Sequence, residues 1–431
     1  MKTRLAAAVL GAALAVLTLT AADAAPKTVN QLTQEAREAY DRGDKALFLK
    51  NSEAAARLRP GNVVILYNLA CGQALNGQTE AALATLSDIA AHRVAMNLDA
   101  DTDFDSIRAT EGYKRVVAAM NALRKERVRG GATVAFTIPE KAVVPEGVAY
   151  DPATKSFFVA SVNQGRIFRV GPDGKAAPWT GAGTGLKSPL GIAVDPKRRA
   201  LWVVSESIPN MNGGREGDPP DSTLFEFDLD SGTLRRRVSP PAAPKAPHFD
   251  DLTVASDGRV YVNDGFNPRI YTLAPGASEL AVWIEGGGID SGTQGLALTP
   301  DGRALYASDY RGLYRIDVAS KRVTPLPVPP DLALNGIDGL VSFDGSLVAI
   351  QNGIAPHRVS RLDLTPDGAG VARARILEMN NPAFDEPTLG TVVDGALYFT
   401  ANNQGHLFED PKKPPTPADL RDVVILRLPL K

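Results

Sequence analysis

Residues 293–309 read TQGLALTPDGRALYASD: a polar residue before a glycine, two short alternating apolar runs around a Pro-Asp-Gly turn, and a Ser-Asp ending. The alternation is that of half-buried strands, and the turn residues between the runs make a hairpin. The cadence returns as PEGVAYDPATKSFFVAS (145–161), PLGIAVDPKRRALWVVS (189–205), FDDLTVASDGRVYVND (249–264) and IDGLVSFDGSLVAIQN (337–352), and more loosely as DEPTLGTVVDGALYFTAN (385–402). Strand-like stretches such as GRIFRV and TLFEFDL follow the hairpins. Six copies across residues 132–431 leave 50 residues each, the size of a four-stranded propeller blade. The expected architecture is mainly β, a six-bladed β-propeller over residues 131–431, with GATVAFTIP (131–139) and VVILRLPL (423–430) pairing to close the ring.

Upstream the pattern is helical. Residues 29–128 are rich in Ala, Leu, Glu and Arg at helical spacing, and Gly43 and Gly77 lie 34 residues apart, each closing a helix. The spacing of Pro60, Asn68-Leu69-Ala70 and Ala82 around them resembles a tetratricopeptide helix pair. A small helical, tetratricopeptide-like domain is therefore expected over residues 26–130. So few repeats make a weak independent solenoid, so the domain is expected to lean on its neighbour or to dock a protein partner; a helical cap without a ligand is an equal alternative.

Residues 1–25 carry Lys2 and Arg4, an apolar run from Leu5 to Leu17, and Ala22-Asp23-Ala24. This is the pattern of a cleaved secretory signal peptide, too short to span a bilayer, and it predicts a periplasmic or secreted protein without membrane insertion. Loss of residues 1–24, with Lys2, Arg4 and Asp23, moves the formal net charge from −2 to −3, which excludes the basic surface a nucleic-acid partner needs. Cys71 is the single cysteine, so neither an internal disulfide nor a thiolate metal cluster can form.

In a propeller the innermost strand of each blade borders the central channel. Aligning the copies on the glycine, which is replaced by Asp251 in the third and Pro387 in the sixth, places Glu146, Leu190, Asp250, Gln294, Asp338 and Glu386 at one height. Intervals of 44 residues separate Glu146 from Leu190, Asp250 from Gln294, and Gln294 from Asp338. Carboxylates crowded around a narrow axis repel one another unless protonated or bridged by a cation. Oxygen-only donors favour a hard ion, Ca²⁺ before other divalent cations; a water-filled polar channel is the alternative. The loops that follow the second strands, the inserts SIPNMNGGREGDPPD (207–221) and NQGHLFEDPKKPPTPADLRD (403–422), and SPPAAPKAPHFDD (239–251) with His248 all fall on the same face. GAGTGLKS (181–188) imitates a phosphate loop, but Leu186 interrupts the Gly-Lys-Ser order that such a loop requires.

On PEGVAYDP, FDDLTVASDGRVYVND, TQGLALTPDGRALYASD, IDGLVSFDG and DEPTLG…LYFTANNQ, residues 140–431 resemble the gluconolactonase, regucalcin and senescence-marker-protein family of six-bladed propellers, with paraoxonases more distant. The resemblance implies one divalent ion, commonly calcium, at the channel mouth. It implies Glu146 and Asp338 as metal ligands, Gln294 where the family has a liganding asparagine, and Asp250 where it has an asparagine near substrate and ion. The function it implies is hydrolysis of a lactone or related ester, a small-molecule substrate, with Asp338 or Asp250 activating water and His248 a second candidate base. The alternative function is a non-catalytic binding or scaffold module whose helical repeats dock a partner.

Overall fold

The computed structural model describes residues 27–181, 183–219, 221–309, 311–329 and 331–431; the expected leader, residues 1–25, lies outside them. Six four-stranded antiparallel sheets follow the helices. The innermost strands are Pro145–Asp151, Ser188–Asp195, Leu252–Val254, Thr293–Leu298, Ile337–Phe343 and Gly390–Val393. Each inner strand neighbours the next, and the last neighbours the first. The sixth blade takes its outermost strand, Thr133–Ile138, from the start of the propeller, paired with Val423–Pro429. The chain's two propeller ends are thereby locked into one sheet, as the sequence predicts.

Among the described residues six apolar clusters fill the spaces between blades, so every sheet is covered on both faces. This explains why runs such as Ala200–Glu206 and Ala304–Asp309 are buried at every position rather than on alternate ones.

The repeated glycine has a steric cause. A Cβ on Gly147 would lie 2.5 Å from the Leu190 carbonyl oxygen, and one on Gly295 would lie 2.5 Å from that of Asp338; in each case the next blade's inner strand passes too close for any side chain. Where the third blade has Asp251, its Oδ2 instead accepts the amide of Leu296 in the fourth at 3.1 Å. The glycine and the residue before it also form a bulge: pairing register shifts between Pro145 and Val148, Pro189 and Ile192, Thr293 and Leu296, and Ile337 and Gly339. The sixth copy is corrected by the structure. Its inner strand begins at Gly390, which pairs with Phe399, and the carbonyl that a Cβ on Gly339 would meet, at 2.6 Å, is that of Thr388; Thr388 therefore takes the position before the glycine, Leu389 that of the glycine itself, and Glu386 belongs to the preceding loop. The Pro387 alignment fails by two residues because the sixth hairpin closes Val393 on Ala396 through Asp394-Gly395 alone, whereas the fourth joins Thr299 to Ala304 through four residues.

Five helices precede the propeller: α1 (Val29–Asp41), α2 (Lys45–Leu58), α3 (Val63–Leu75), α4 (Thr79–Ala91) and α5 (Glu111–Lys125). Gly43 and Gly77 each stand two residues past a helix end with φ +74°, where glycine reverses the chain at no steric cost. Cys71 is buried in the helical core, and Ala333 and Ile354 of the propeller complete that core. Polar ties join the two parts: Arg59 to Asp290 at 3.2 Å, Asn62 Nδ2 to the Arg311 carbonyl at 2.8 Å, and the Ala95 amide to the Ala355 carbonyl at 2.8 Å. The helices therefore sit on fourth- and fifth-blade loops that precede the first strands or follow the second, at the end of the ring where the polar residues precede the glycines. Among the described residues no helix is long and apolar enough to cross a membrane. The GAGTGLKS segment runs from strand Ala176–Pro178 to strand Ser188–Asp195; it opens no helix and so makes no phosphate loop.

Candidate functional site at the channel mouth

Glu146, Leu190, Asp250, Gln294 and Asp338 line one cavity of ≈ 250 Å³, with His248, Asp251, Asn352, Glu386 and Asn403. The four bulges and the third-blade loop bring them together. Buried polar side chains at the ends of the second strands stitch neighbouring blades beneath them. Asn263, fully buried, accepts the amides of Asp250 (3.2 Å) and Asp251 (2.7 Å) on Oδ1 and donates through Nδ2 to the carbonyls of Thr293 (2.7 Å) and Gln294. Ser308 Oγ accepts the Gly295 amide at 2.9 Å and donates to the Ile337 carbonyl at 3.1 Å. Thr400 Oγ1 donates to the Glu146 carbonyl at 2.9 Å. The Ser-Asp and Asn-Asp endings of the cadence thus fix the height of the acids.

Each acid is only partly satisfied. Glu146 Oε2 accepts Asn403 Nδ2 at 2.5 Å, Asp338 Oδ2 accepts Asn352 Nδ2 at 2.6 Å, and Asp250 Oδ1 faces His248 Nε2 at 2.9 Å. Asp250 Oδ2 is buried with no hydrogen-bond partner. Its place is kept by Gly265, where a Cβ would come within 1.7 Å of that oxygen. Burial, then the charges of Asp338 and Asp250, push the Glu146 carboxyl well above its ordinary value. Burial and Asp250 raise Asp338 to about 7, against the opposing hydrogen bond from Asn352. Asp251, on the floor, is raised to about 7, chiefly by burial.

Sequence reasoning missed Glu206, whose carboxylate sits at 1% exposure at the end of a second strand. Its Oε1 accepts the Phe249 amide and its Oε2 lies 3.6 Å from His248 Nδ1. Burial raises Glu206 to about 7 although His248 opposes it. Burial works against charge on His248 too, but Asp250 and Glu206 outweigh it and raise the imidazole to about 9. The SES ending of the second copy, with Glu where the third, fourth and fifth copies have Asp264, Asp309 and Asn352, was the available signal.

An oxygen-only donor set, a carboxylate oxygen with no partner and mutually repelling acids fit a hard divalent cation. The acids stand as an open bowl. Among the described residues the group of three His, Cys, Asp or Glu side chains closing within 4.8 Å is Cys71, Asp101 and Asp103 in the helical domain. There Tyr67 and Tyr40 already donate to Asp101 and Asp103.

No protein-family model matches the chain, and no curated protein matches it. Solved structures similar to it include a gluconolactonase from Xanthomonas campestris, at 18% identity and TM-score 0.48 over 70% of this chain and 92% of that one. The PQQ-bound aldose sugar dehydrogenase of Streptomyces coelicolor is 15% identical, TM-score 0.46, over 69% of this chain and 98% of its own. A virginiamycin B lyase from Staphylococcus aureus is 16% identical, TM-score 0.46, over 68% of this chain and 83% of its own.

Proposed function

We propose that the protein is an exported, divalent-cation-dependent hydrolase of a lactone or related ester. The observation that carries this is the cavity rimmed by Glu146, Asp250 and Asp338, in which Asp250 Oδ2 is buried without a partner. Glu146, Asp338 and Gln294, with Asp250, are the residues that would hold the ion, Ca²⁺ first among candidates. When bound, such an ion supplies Lewis-acid polarisation of the scissile carbonyl.

The chain's own groups supply the proton chemistry. Asp338, its Oδ2 held by Asn352 at 2.6 Å, is placed to accept a proton from water as the water oxygen bonds to the carbonyl carbon. His248, raised to about 9 and fixed between Asp250 and Glu206, is cationic and suited to give its proton to the alkoxide as the carbon–oxygen bond breaks. This assigns His248 as acid rather than base. The leader pattern of residues 1–25 supports the periplasm or the exterior as the site of action.

The 403–422 insert borders the cavity through Asn403 and leaves it open, which favours chemistry over a plugged scaffold. The helical domain's ties to the fourth and fifth blades support a structural cap. Metal analysis of the purified mature protein, followed by a lactone and ester panel with and without chelator, tests the proposal. Turnover that chelator abolishes and Ca²⁺ restores is expected; turnover indifferent to chelator contradicts the ion's role.

A further inference from the structure

The mouth is not polar all round. Leu190 occupies the position that carries Glu146, Asp250, Gln294 and Asp338 in four other blades, and with Ile208 from the 207–221 insert it lines the same cavity. Met211 and Phe408 join both in one apolar cluster. Asn210 Nδ2 donates to the Glu409 carbonyl at 3.3 Å, so the two inserts brace each other behind this wall.

Beyond His248 stands Phe266, its ring parallel to the imidazole at 4.2 Å and 8°. It is 74% exposed, more than any other large apolar residue described. That exposure is built rather than loose. The fully buried Asp264 accepts the amides of Phe266 at 3.1 Å and Asn267 at 3.0 Å on Oδ1, and the His248 amide at 3.2 Å. The backbones of Gly265 and Gly292 meet so closely that a Cβ on Gly292 would fall 1.8 Å from the Gly265 oxygen. A phenyl ring held in water by a rigid loop beside a site has apolar surface left for a ligand to cover.

We propose that Leu190, Ile208 and Phe266 form an apolar subsite flanking the acids, and that the substrates are lactones or esters carrying a hydrophobic alkyl chain. A polyhydroxylated lactone would set hydroxyls against Leu190 and Ile208, where nothing accepts or donates, and is disfavoured. The inference rests on the hydrolase reading for the word substrate, but the subsite itself does not.

The test uses the mature protein with Ca²⁺ and a series from γ-butyrolactone through γ-hexalactone to γ-octalactone, with D-glucono-δ-lactone as the polar member. Calorimetric binding and kcat/KM are measured for wild type, Phe266→Ala, Ile208→Asn and Phe266→Trp. Affinity and kcat/KM should rise about two- to four-fold per methylene. The octalactone-to-butyrolactone ratio should fall about ten-fold in Phe266→Ala and Ile208→Asn and recover in Phe266→Trp. Binding that depends on chain length in this way without turnover keeps the subsite and removes the hydrolase reading. A flat series, no binding, preference for the glucono-lactone, or ratios unmoved by both variants overturns the subsite.

Discussion

The two ends of the propeller carry carboxylates in opposite circumstances. At the turn end, Asp151 is gripped by both guanidinium nitrogens of Arg199 at 2.8 and 2.9 Å, and Asp195 and Asp228 are paired with Arg198 and Arg235 at 2.9 and 2.7 Å. Burial opposes charge on Asp151, yet Arg199 holds it down to about 2, and Arg235 holds Asp228 below the usual carboxylate range. At the mouth, Glu146 and Asp338 have amides for partners and no cation, and burial drives both up. The same side-chain type is a structural anchor at one end and an unneutralised charge at the other. The difference marks Glu146 and Asp338 as carboxylates that the protein gives no cationic side chain of its own.

The largest expected effect is on turnover. Asp338→Asn should lower lactone hydrolysis by about 10²-fold or more and weaken the Ca²⁺-induced rise in Tm, whereas Asp151→Asn, assayed alongside at a temperature where both are folded, should leave kcat near wild type. Equal losses in the two variants would erase the contrast between the ends.

Stability should respond with opposite signs. In urea with chelator, Asp151→Asn leaves Arg199 with Asp230 as its carboxylate partner and should cost about 1.5–3 kcal/mol, while Asp338→Asn removes a repelled buried charge and should add on the order of 1 kcal/mol.

The pH dependence sharpens the same point. Asp338 has a folded value above its unfolded one, so in chelator its penalty is full above pH 7 and relieved as pH falls toward 4. Asp151 is depressed, so its contribution is present above pH 4 and lost as pH falls through 2. Thermal melts of chelated protein should therefore gain stability from pH 8 to pH 5 and lose it below pH 4, and added Ca²⁺ should flatten the upper limb only.

The smallest effect is expected of Asp250→Asn. It keeps an oxygen at the mouth but removes the charge that holds His248 near 9, so Ca²⁺ affinity should change by no more than about ten-fold while the alkaline limb of the pH–rate profile moves down.

Four blades announced themselves because the glycine and the residue before it make a bulge against the next blade's backbone, a constraint that side-chain choice cannot evade. The sixth blade misled because DEP mimics the acid-first cadence, although the chain starts its strand only at Gly390. Glu146, Asp250, Gln294 and Asp338 were legible from period alone. The contact of Glu206 with His248 and the placing of Phe266 were not, since they depend on how the 239–251 approach and the 264–268 loop fold over the third blade, and no repeat encodes a loop. Nor could sequence show that the helices rest on the fourth and fifth blades, because Arg59 and Asp290 meet across 231 residues.

The measurement that bears most directly on the central claim is calorimetric titration of the metal-stripped mature protein with Ca²⁺ at neutral pH. The account predicts one equivalent bound with Kd below about 1 mM, lost or strongly weakened in Asp338→Asn and retained in Asp151→Asn. Absence of binding by Ca²⁺, Mg²⁺, Mn²⁺ and Zn²⁺ alike, or binding unchanged in Asp338→Asn, would contradict it.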